Sequence, residues 1–441
     1  MNTRIPVAAV LALAVASGSA QTLDNTKLDQ LLDRLAAKNK GMGALTLARA
    51  GSILYSHSFG YRYVNGTQKT PGDASTKYRI GSITKTYTAV MVLQLVEEGR
   101  LNLSDTLDRF FPQIPNARKI TISHILLHRS GIPNMAADGT ARQPRTKEEI
   151  VARIAQSQPD FEPGTQSKYS NSAYNLLGQI VERVGGKTYQ DALKERITSK
   201  IGLTDTYCPT IGQTDPGKNE AVTYHYIDGW QEGNEMDFSI PGGAGAIVAT
   251  TSDMTRFIQA VFDLKLLSAN SLKLMTTMQD DEGMGMVTFS FAGKTMYGNT
   301  GGGGSSGAWL AYDPEEKLAL AYATNMKIYP VTNIVSGIYD IYWHRPFEIP
   351  NFDPVEVSPE ILDRYIGVYS TQGAPVKMTI SRRGNTLYIQ PPGESAAPLE
   401  AMAENKFKID PGVFFEFDAA KGTMTIKRPQ GERVFTKEKR F

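Results

Sequence analysis

The sequence predicts an α/β protein in two parts. One sheet is built from both ends of a long first domain, with a helical subdomain interposed, and a small all-β unit follows. Three observations predict this. Strand-like alternation occurs at residues 44–59 and returns only at 286–324. Most of the stretch between, from 82 to 184, carries helical periodicity. From Ile361 onward only short β-like runs appear, separated by turn residues.

Arg4, the ten-residue apolar run Val7–Ala16 and the small residues Gly18-Ser19-Ala20 before Gln21 read as a cleavable signal peptide over 1–20. Export to the periplasm or outside the cell is therefore expected. No later segment is long and apolar enough to span a membrane. Leu28, Leu31, Leu32 and Leu35 form a stripe within a helix over Leu23–Lys38. Ala44–Ala50 and Ser52–Phe59 read as a hairpin around Ala50-Gly51, and Asn65-Gly66 is a second turn. Tyr87–Val96 is helical and ends at Gly99. Further helices are expected over Ile122–His128, Thr146–Ala155, Ser172–Val184 and Val331–Trp343. Strands are expected at Met286–Phe291, Ala308–Tyr312 and Leu318–Thr324, the last two joined by the turn Asp313-Pro314-Glu315-Glu316. Four prolines in Pro346–Pro359 suggest a linker. The first domain then covers 23–345 and the tail 360–441. Seven runs in the tail suggest a barrel or sandwich: Gly367–Ser370, Val376–Ile380, Thr386–Ile389, Lys406–Ile409, Val413–Phe417, Thr423–Lys427 and Arg433–Thr436.

Composition excludes some functions. Lys plus Arg is 47 against 45 for Asp plus Glu, a net charge of +2, so no basic excess points to nucleic acid. Cys208 is the only cysteine, which rules out an internal disulfide. It reads as a buried structural thiol. His124 and His128 are four apart but lack the glutamate of a zincin helix. His57, His225 and His344 are isolated in sequence. No metal or cofactor is expected. The partner is a small-molecule or peptide substrate, and the sequence leaves the oligomeric state open.

Ser82-Ile83-Thr84-Lys85 is the only Ser-x-x-Lys in the chain. Gly81 precedes it and a helix follows. Ser82 then lies at a helix N-terminus, where free N–H groups favour developing negative charge. Lys85 lies one turn on, on the same face. A serine needs a base to become nucleophilic, and a desolvated lysine within reach supplies one. A plain N-cap serine beside a solvated lysine would read the same, so the tetrad alone does not decide. Phe161-Glu162-Pro163-Gly164 leads to Tyr169-Ser170-Asn171 on a turn before the next helix. Tyr169 suits a proton shuttle and Asn171 a hydrogen-bonding partner of the lysine or the substrate. Tyr-x-Asn also occurs at Tyr63 and Tyr297, so its context carries the reading. Gly298-Asn299-Thr300-Gly301-Gly302 lies between two strand patterns, where glycines admit a substrate backbone. The backbone N–H groups of Ser82 and Gly302 would suit an oxyanion hole. No Lys-Ser or Lys-Thr follows these glycines, which argues against a phosphate loop.

In the order Ser82-x-x-Lys85, Tyr169-x-Asn171, Asn299-Thr300-Gly301, the chain resembles the serine β-lactamase and penicillin-binding-protein-like family, in its class C, esterase and D-aminopeptidase branch. Ile122–Pro133, the Glu162-Pro163-Gly164 turn and Ser252-Asp253-Met254 add to the likeness, which runs from about Leu23 to Trp343. The tail resembles the lipocalin-like module of some members. The resemblance implies an antiparallel sheet flanked by helices, with a small barrel-like domain after it. It implies that Ser82 is acylated, that Lys85 and Tyr169 transfer protons, and that Asn171, Asn299, Thr300 and Gly301 bind substrate. It also implies that Ser82 and Gly302 hold the oxyanion.

The third motif departs from the family, where Lys or His usually stands in place of Asn299. The missing cation should weaken binding of substrate carboxylates. It should also leave Lys85 as the chief cation lowering the Tyr169 pKa, giving an alkaline-shifted profile. Arg256 or Lys168 are candidates to restore the charge. The resulting expectation is a hydrolase acting on an ester or amide through an acyl-enzyme. The rivals are a weak β-lactamase and a binding protein that kept the fold without turnover.

Overall fold

The computed structural model describes residues 23–438 except 135–141, 227–228, 354, 372–373, 393–395, 411–412 and 429–430. The signal-peptide segment 1–20 lies outside the described residues. The elements that frame the site are α1 (Asn25–Ala37), β1 (Gly41–Arg49), β2 (Ser52–Phe59), α2 (Thr84–Glu97), α3 (Asn171–Gly185), α4 (Thr251–Phe262), β3 (Val287–Phe291), β4 (Lys294–Gly303), β5 (Ser306–Asp313), β6 (Leu318–Lys327) and α5 (Val331–Tyr342).

Strands from both ends of the first part form one six-stranded antiparallel sheet in the order β2-β1-β6-β5-β4-β3. The join is long-range: Leu45 faces Tyr322, and Leu47 faces Leu320. One face is covered by α1 and α5, where Leu28, Leu31, Leu32 and Leu35 meet Ile334, Val335 and Ile338. The other face meets α4, with Met254, Phe257, Ile258 and Val261 buried. Behind it α2 is buried from Thr84 to Leu95, so no face of this helix is left for solvent. A buried central helix gives Ser82 and Lys85 a rigid mount.

Two expectations need correction. The glycine-rich segment 298–302, read as lying between strands, is itself strand: β4 runs to Gly303 and pairs with β5. Strand β3 pairs with β4 only as far as Gly298, which leaves the edge from Asn299 onward unpaired on that side. The tail holds eight strands, Gly367–Thr371 through Gly431–Lys437, closed into a barrel by pairing of Tyr369 and Ser370 with Lys437 and Thr436. The strand absent from the sequence reading is Ala397–Ala403, whose alanines and Pro398 carry little β propensity. The barrel interior is filled by Leu387, Phe407, Phe415, Phe417, Met424 and Phe435. The proline-rich segment before it is irregular but anchored. Phe347 packs on Gly337, where an added Cβ would lie 2.5 Å from its ring, and Phe352 is 7% exposed in the α1/α5 core.

Candidate active site

Gly81 opens the nucleophile turn with φ 52°, a left-handed conformation that favours glycine. Residues Gly81–Ile83 make one 3-10 turn and α2 begins at Thr84. Strand β4 passes tightly beside this turn. A Cβ on Gly301 would fall 1.8 Å from the Ile80 oxygen and 2.9 Å from the Ser82 nitrogen. A Cβ on Gly81 would fall 2.4 Å from the Gly302 nitrogen. The backbone nitrogens of Ser82 and Gly302 therefore lie close together, as an oxyanion hole built from them would need.

Ser170 caps α3, its hydroxyl accepting from the Ala173 N–H at 3.1 Å. This cap sets Tyr169 and Asn171 on either side of the helix start. The Tyr169 hydroxyl hydrogen-bonds the Ser82 hydroxyl. Lys85 Nζ lies 3.0 Å from Ser82 Oγ, 2.7 Å from Asn171 Oδ1 and 2.8 Å from the Ala244 carbonyl oxygen. Ser82, Lys85, Tyr169 and Asn171 thus meet at one point.

Lys85 is 1% exposed. Desolvation drives its pKa well below the ordinary lysine value, with the Glu282 carboxyl opposing. Its position in the first turn of α2, at the positive end of the helix, also disfavours an ammonium. A neutral amine has two N–H donors and one lone pair. Asn171 Oδ1 and the Ala244 oxygen take the two hydrogens, which leaves the lone pair for the Ser82 hydroxyl proton. The expected lowering of the Tyr169 pKa does not hold. Burial lifts its phenol to about 12, although its hydrogen bond with Ser82 pulls the other way. Lys85, whose charge burial disfavours, is not among the groups that lower it. The base within reach of Ser82 is the amine, and Tyr169 is a phenol with a proton to donate.

Asn299 and Thr300 stand on the free edge of β4 and line a cavity of about 380 Å³ with Ser82, Lys85, Tyr169, Gly301 and Gly302. Asn299 Nδ2 donates to the Gly285 oxygen at 3.3 Å, and its Oδ1 accepts from the Thr300 N–H at 2.9 Å. Both ends of this amide are thus engaged within the protein, tying β4 to the loop before β3. Neither cation offered as a replacement reaches the site. Arg256 lies by Asp253, and Lys168 pairs with Asp160 at 2.9 Å. The cation that does line the cavity is Lys327, at the end of β6. A second cavity of about 730 Å³ also borders Ser82, lined in part by Arg79, Asn134, Asn171, His225, Glu235 and Gly302. Ser82 thus lines both spaces.

Several contributors lay outside the sequence reading. Ala244 belongs to Pro241-Gly242-Gly243-Ala244-Gly245, a glycine cluster that signals close backbone approach. Gly178 and Gly243 do pack that closely, and Thr88 donates to the Gly243 oxygen at 2.6 Å. His128, read as structural, lies with its ring centroid 4.6 Å from that of Tyr169 and accepts from the Ser170 N–H at 3.1 Å. Burial and Lys85 lower its pKa to about 3, so it supports Tyr169 as a neutral ring. His225 is not isolated, since it hydrogen-bonds Ser305 at the β4–β5 turn. Glu282 lines the smaller cavity, and burial raises its carboxyl to about 7 against a pull from Lys85. Among the described residues no group of acidic, histidine or cysteine side chains could hold a metal ion.

A β-lactamase family profile matches residues 28–332. The chain belongs to the β-lactamase family of serine hydrolases and penicillin-binding proteins. It is 26% identical to a penicillin-binding protein of Bacillus subtilis (strain 168) over 415 residues, covering 86% of this chain and 90% of that one. The D-amino acid amidase of Ochrobactrum anthropi SV3, in complex with D-phenylalanine, superposes with a TM-score of 0.65 at 25% identity, over 73% of this chain and 99% of the amidase. An octameric penicillin-binding protein homologue from Pyrococcus abyssi shares the fold at 22% identity and a TM-score of 0.64, over 94% of this chain and all of that one. The family's β-lactamase-like α/β fold is thus present here, with the closed barrel added after it.

Proposed function

We propose that this chain is an exported serine hydrolase that cleaves an ester or amide through an acyl-enzyme, as an amidase, peptidase or esterase. The observation that carries the reading is the meeting of Ser82 Oγ, Lys85 Nζ and Tyr169 Oη, with Ser82 lining two cavities. The likeness to a D-amino acid amidase supports the amide side of it. The apolar run after Arg4 supports export, and a mature chain beginning at Gln21 would be the sign of it.

The proposed chemistry follows from the atoms. Ser82 Oγ attacks the carbonyl carbon as its proton passes to the lone pair of Lys85. The N–H groups of Ser82 and Gly302 receive the charge on the carbonyl oxygen. Tyr169 gives its proton to the departing amine or alkoxide, and the proton taken up by Lys85 restores the phenol, so that in sum the Ser82 proton has gone to the leaving group. An acyl ester on Ser82 remains. Water, or an amine in a transfer reaction, then attacks it with the proton path reversed, which frees Ser82.

The test has two parts. A fluorophosphonate label followed by peptide mass spectrometry should place the adduct on Ser82. A folded protein that takes no label is the binding-protein alternative. A panel of p-nitrophenyl esters, D- and L-aminoacyl nitroanilides and nitrocefin, run on wild type and Ser82→Ala, then sorts the enzyme readings. Turnover of esters or nitroanilides that disappears in Ser82→Ala supports the proposal. Nitrocefin as the best substrate would make the chain a β-lactamase instead.

A further inference from the structure

Glu282 is a carboxylate in the active-site cleft to which the proposed mechanism gives no task. It lines the smaller cavity with Ser82, Lys85, Tyr169 and Thr300, and it is half-buried. Among the described residues its carboxyl group has no hydrogen bond and no ion pair. Lys327 lines the same cavity without pairing to it, and Lys85 directs its amine to Ser82, Asn171 and Ala244. An acidic side chain left partnerless in a part-enclosed space loses solvation and gains nothing in the free protein. A ligand that completes it would change that.

The surrounding loop is built to hold this carboxylate in place. Asp280 and Asp281 both adopt left-handed backbone, φ 52° and 66°, in a two-residue turn closed by mutual hydrogen bonds between Gln279 and Glu282. Arg129 pairs with Asp280 and donates to the Gly164 oxygen, so it ties the loop to the turn that leads into Tyr169. On the other side the Gly285 oxygen accepts from Thr86 Oγ1 at 2.7 Å and from Asn299 Nδ2 at 3.3 Å. The loop is thus fastened to the Tyr169 segment, to α2 and to β4, the elements that carry the proposed machinery. Asn299, in the place of a cation, is one of the fasteners.

We infer that Glu282 anchors a primary ammonium group on the substrate, close to the scissile carbonyl, and so selects aminoacyl amides or esters with a free amine. This rests on the acyl-enzyme reading and names its substrate class. Substrate binding brings the ammonium to the carboxylate with no other bond made or broken. Blocking the amine removes the charge and leaves Glu282 without a partner. Reversing the charge at 282 should reverse the preference.

The experiment compares three p-nitroanilides of one amino acid, with the amine free, N-acetylated or N-succinylated, on wild type, Glu282→Gln and Glu282→Lys. The readout is the ratio of kcat/KM between substrates within each protein, which a general loss of activity or folded fraction does not move. Wild type should favour the free amine over the N-acetyl form at least tenfold. The ratio should fall to near one in Glu282→Gln, and Glu282→Lys should favour the N-succinyl form. Equal ratios in wild type and Glu282→Gln would overturn the anchor, as would a wild type that accepts the N-acetyl form as readily. A p-nitrophenyl butyrate assay of wild type runs alongside. If neither this ester nor any anilide turns over, the acyl-enzyme reading itself falls, and the anchor falls with it. Ester turnover with equal anilide ratios removes the anchor alone.

Discussion

A neutral Lys85 can take the Ser82 proton and an ammonium cannot, so activity should appear as pH rises through the Lys85 pKa. Desolvation places that pKa well below the ordinary lysine value. The acid limb of kcat/KM should therefore lie well below 10.5, the value for a free lysine side chain. Lys85→Arg, which keeps the charge and cannot lose it, should cost about a thousandfold in kcat/KM or more. Retention of activity in that variant would remove the amine from its role as base. Asn299→Lys adds a cation to the same cavity. It should favour the neutral amine further and move the acid limb to lower pH by about one unit, equivalent to about 1.4 kcal/mol. A limb that stays in place would show that position 299 does not act on Lys85 through charge. Ser82, Lys85, Tyr169 and Asn171 were legible in the sequence because each sits at a local landmark. Ser82 and Lys85 open a helix after a glycine, and Tyr169 and Asn171 flank the cap of another. Glu282 and Lys327 carry no such mark. A single glutamate in a polar turn and a lysine at a strand end owe their place to tertiary structure alone. The expected acidity of Tyr169 failed for a related reason. Spacing shows which groups are near, but burial decides which of them is charged.

Strand β4 meets the nucleophile turn backbone to backbone, and that closeness depends on missing side chains. Gly301→Ala would put a methyl group 1.8 Å from the Ile80 oxygen, a contact that the chain can relieve only by shifting β4 or the turn. Such a shift moves the Gly302 N–H away from the Ser82 N–H. The expected result is a loss of kcat of about a hundredfold, as when an oxyanion donor is displaced, with about 1–3 kcal/mol lost from stability. Stopped-time kinetics and denaturant unfolding read the two effects separately. A full kcat in a folded Gly301→Ala protein would argue against these amides as the oxyanion site. The glycines that make this approach possible also hid the strand. They have low β propensity, and the edge they form has no partner beyond Gly298. In contrast β1, β5 and β6 were readable, since each carries a run of buried apolar residues, and the edge strand β2 was readable as the partner of β1 across the Ala50-Gly51 turn. The register joining β1 to β6 across more than 250 residues was not written in any local pattern, although strands at both ends of a domain pointed to it.

At the scale of the whole molecule, the barrel keeps its own core. Val357, Leu362, Tyr365 and the barrel strands form one buried cluster, while α1, α5 and the main sheet form another. Polar contacts bridge the two, among them Lys40 to Glu400 at 2.7 Å. The segment between them belongs by packing to the first part, because Phe347 covers Gly337 and Phe352 enters the α1/α5 core. The place of a cut should therefore matter more than the loss of the barrel. A chain ended after residue 356 keeps both phenylalanines and should retain labelling of Ser82, with little change in Tm. A chain ended after residue 345 loses both. Removing one buried phenylalanine side chain typically costs about 3–5 kcal/mol, and in a domain of this size each kcal/mol lowers Tm by about 2–4 °C or less. The shorter chain should then melt roughly 10 °C or more below the longer one, or fail to accumulate folded. Differential scanning calorimetry of the two truncations decides it. Equal melting of both would mean that the proline-rich strap adds nothing to the hydrolase core. A large loss in both would mean that the hydrolase core leans on the barrel through more than the polar bridges.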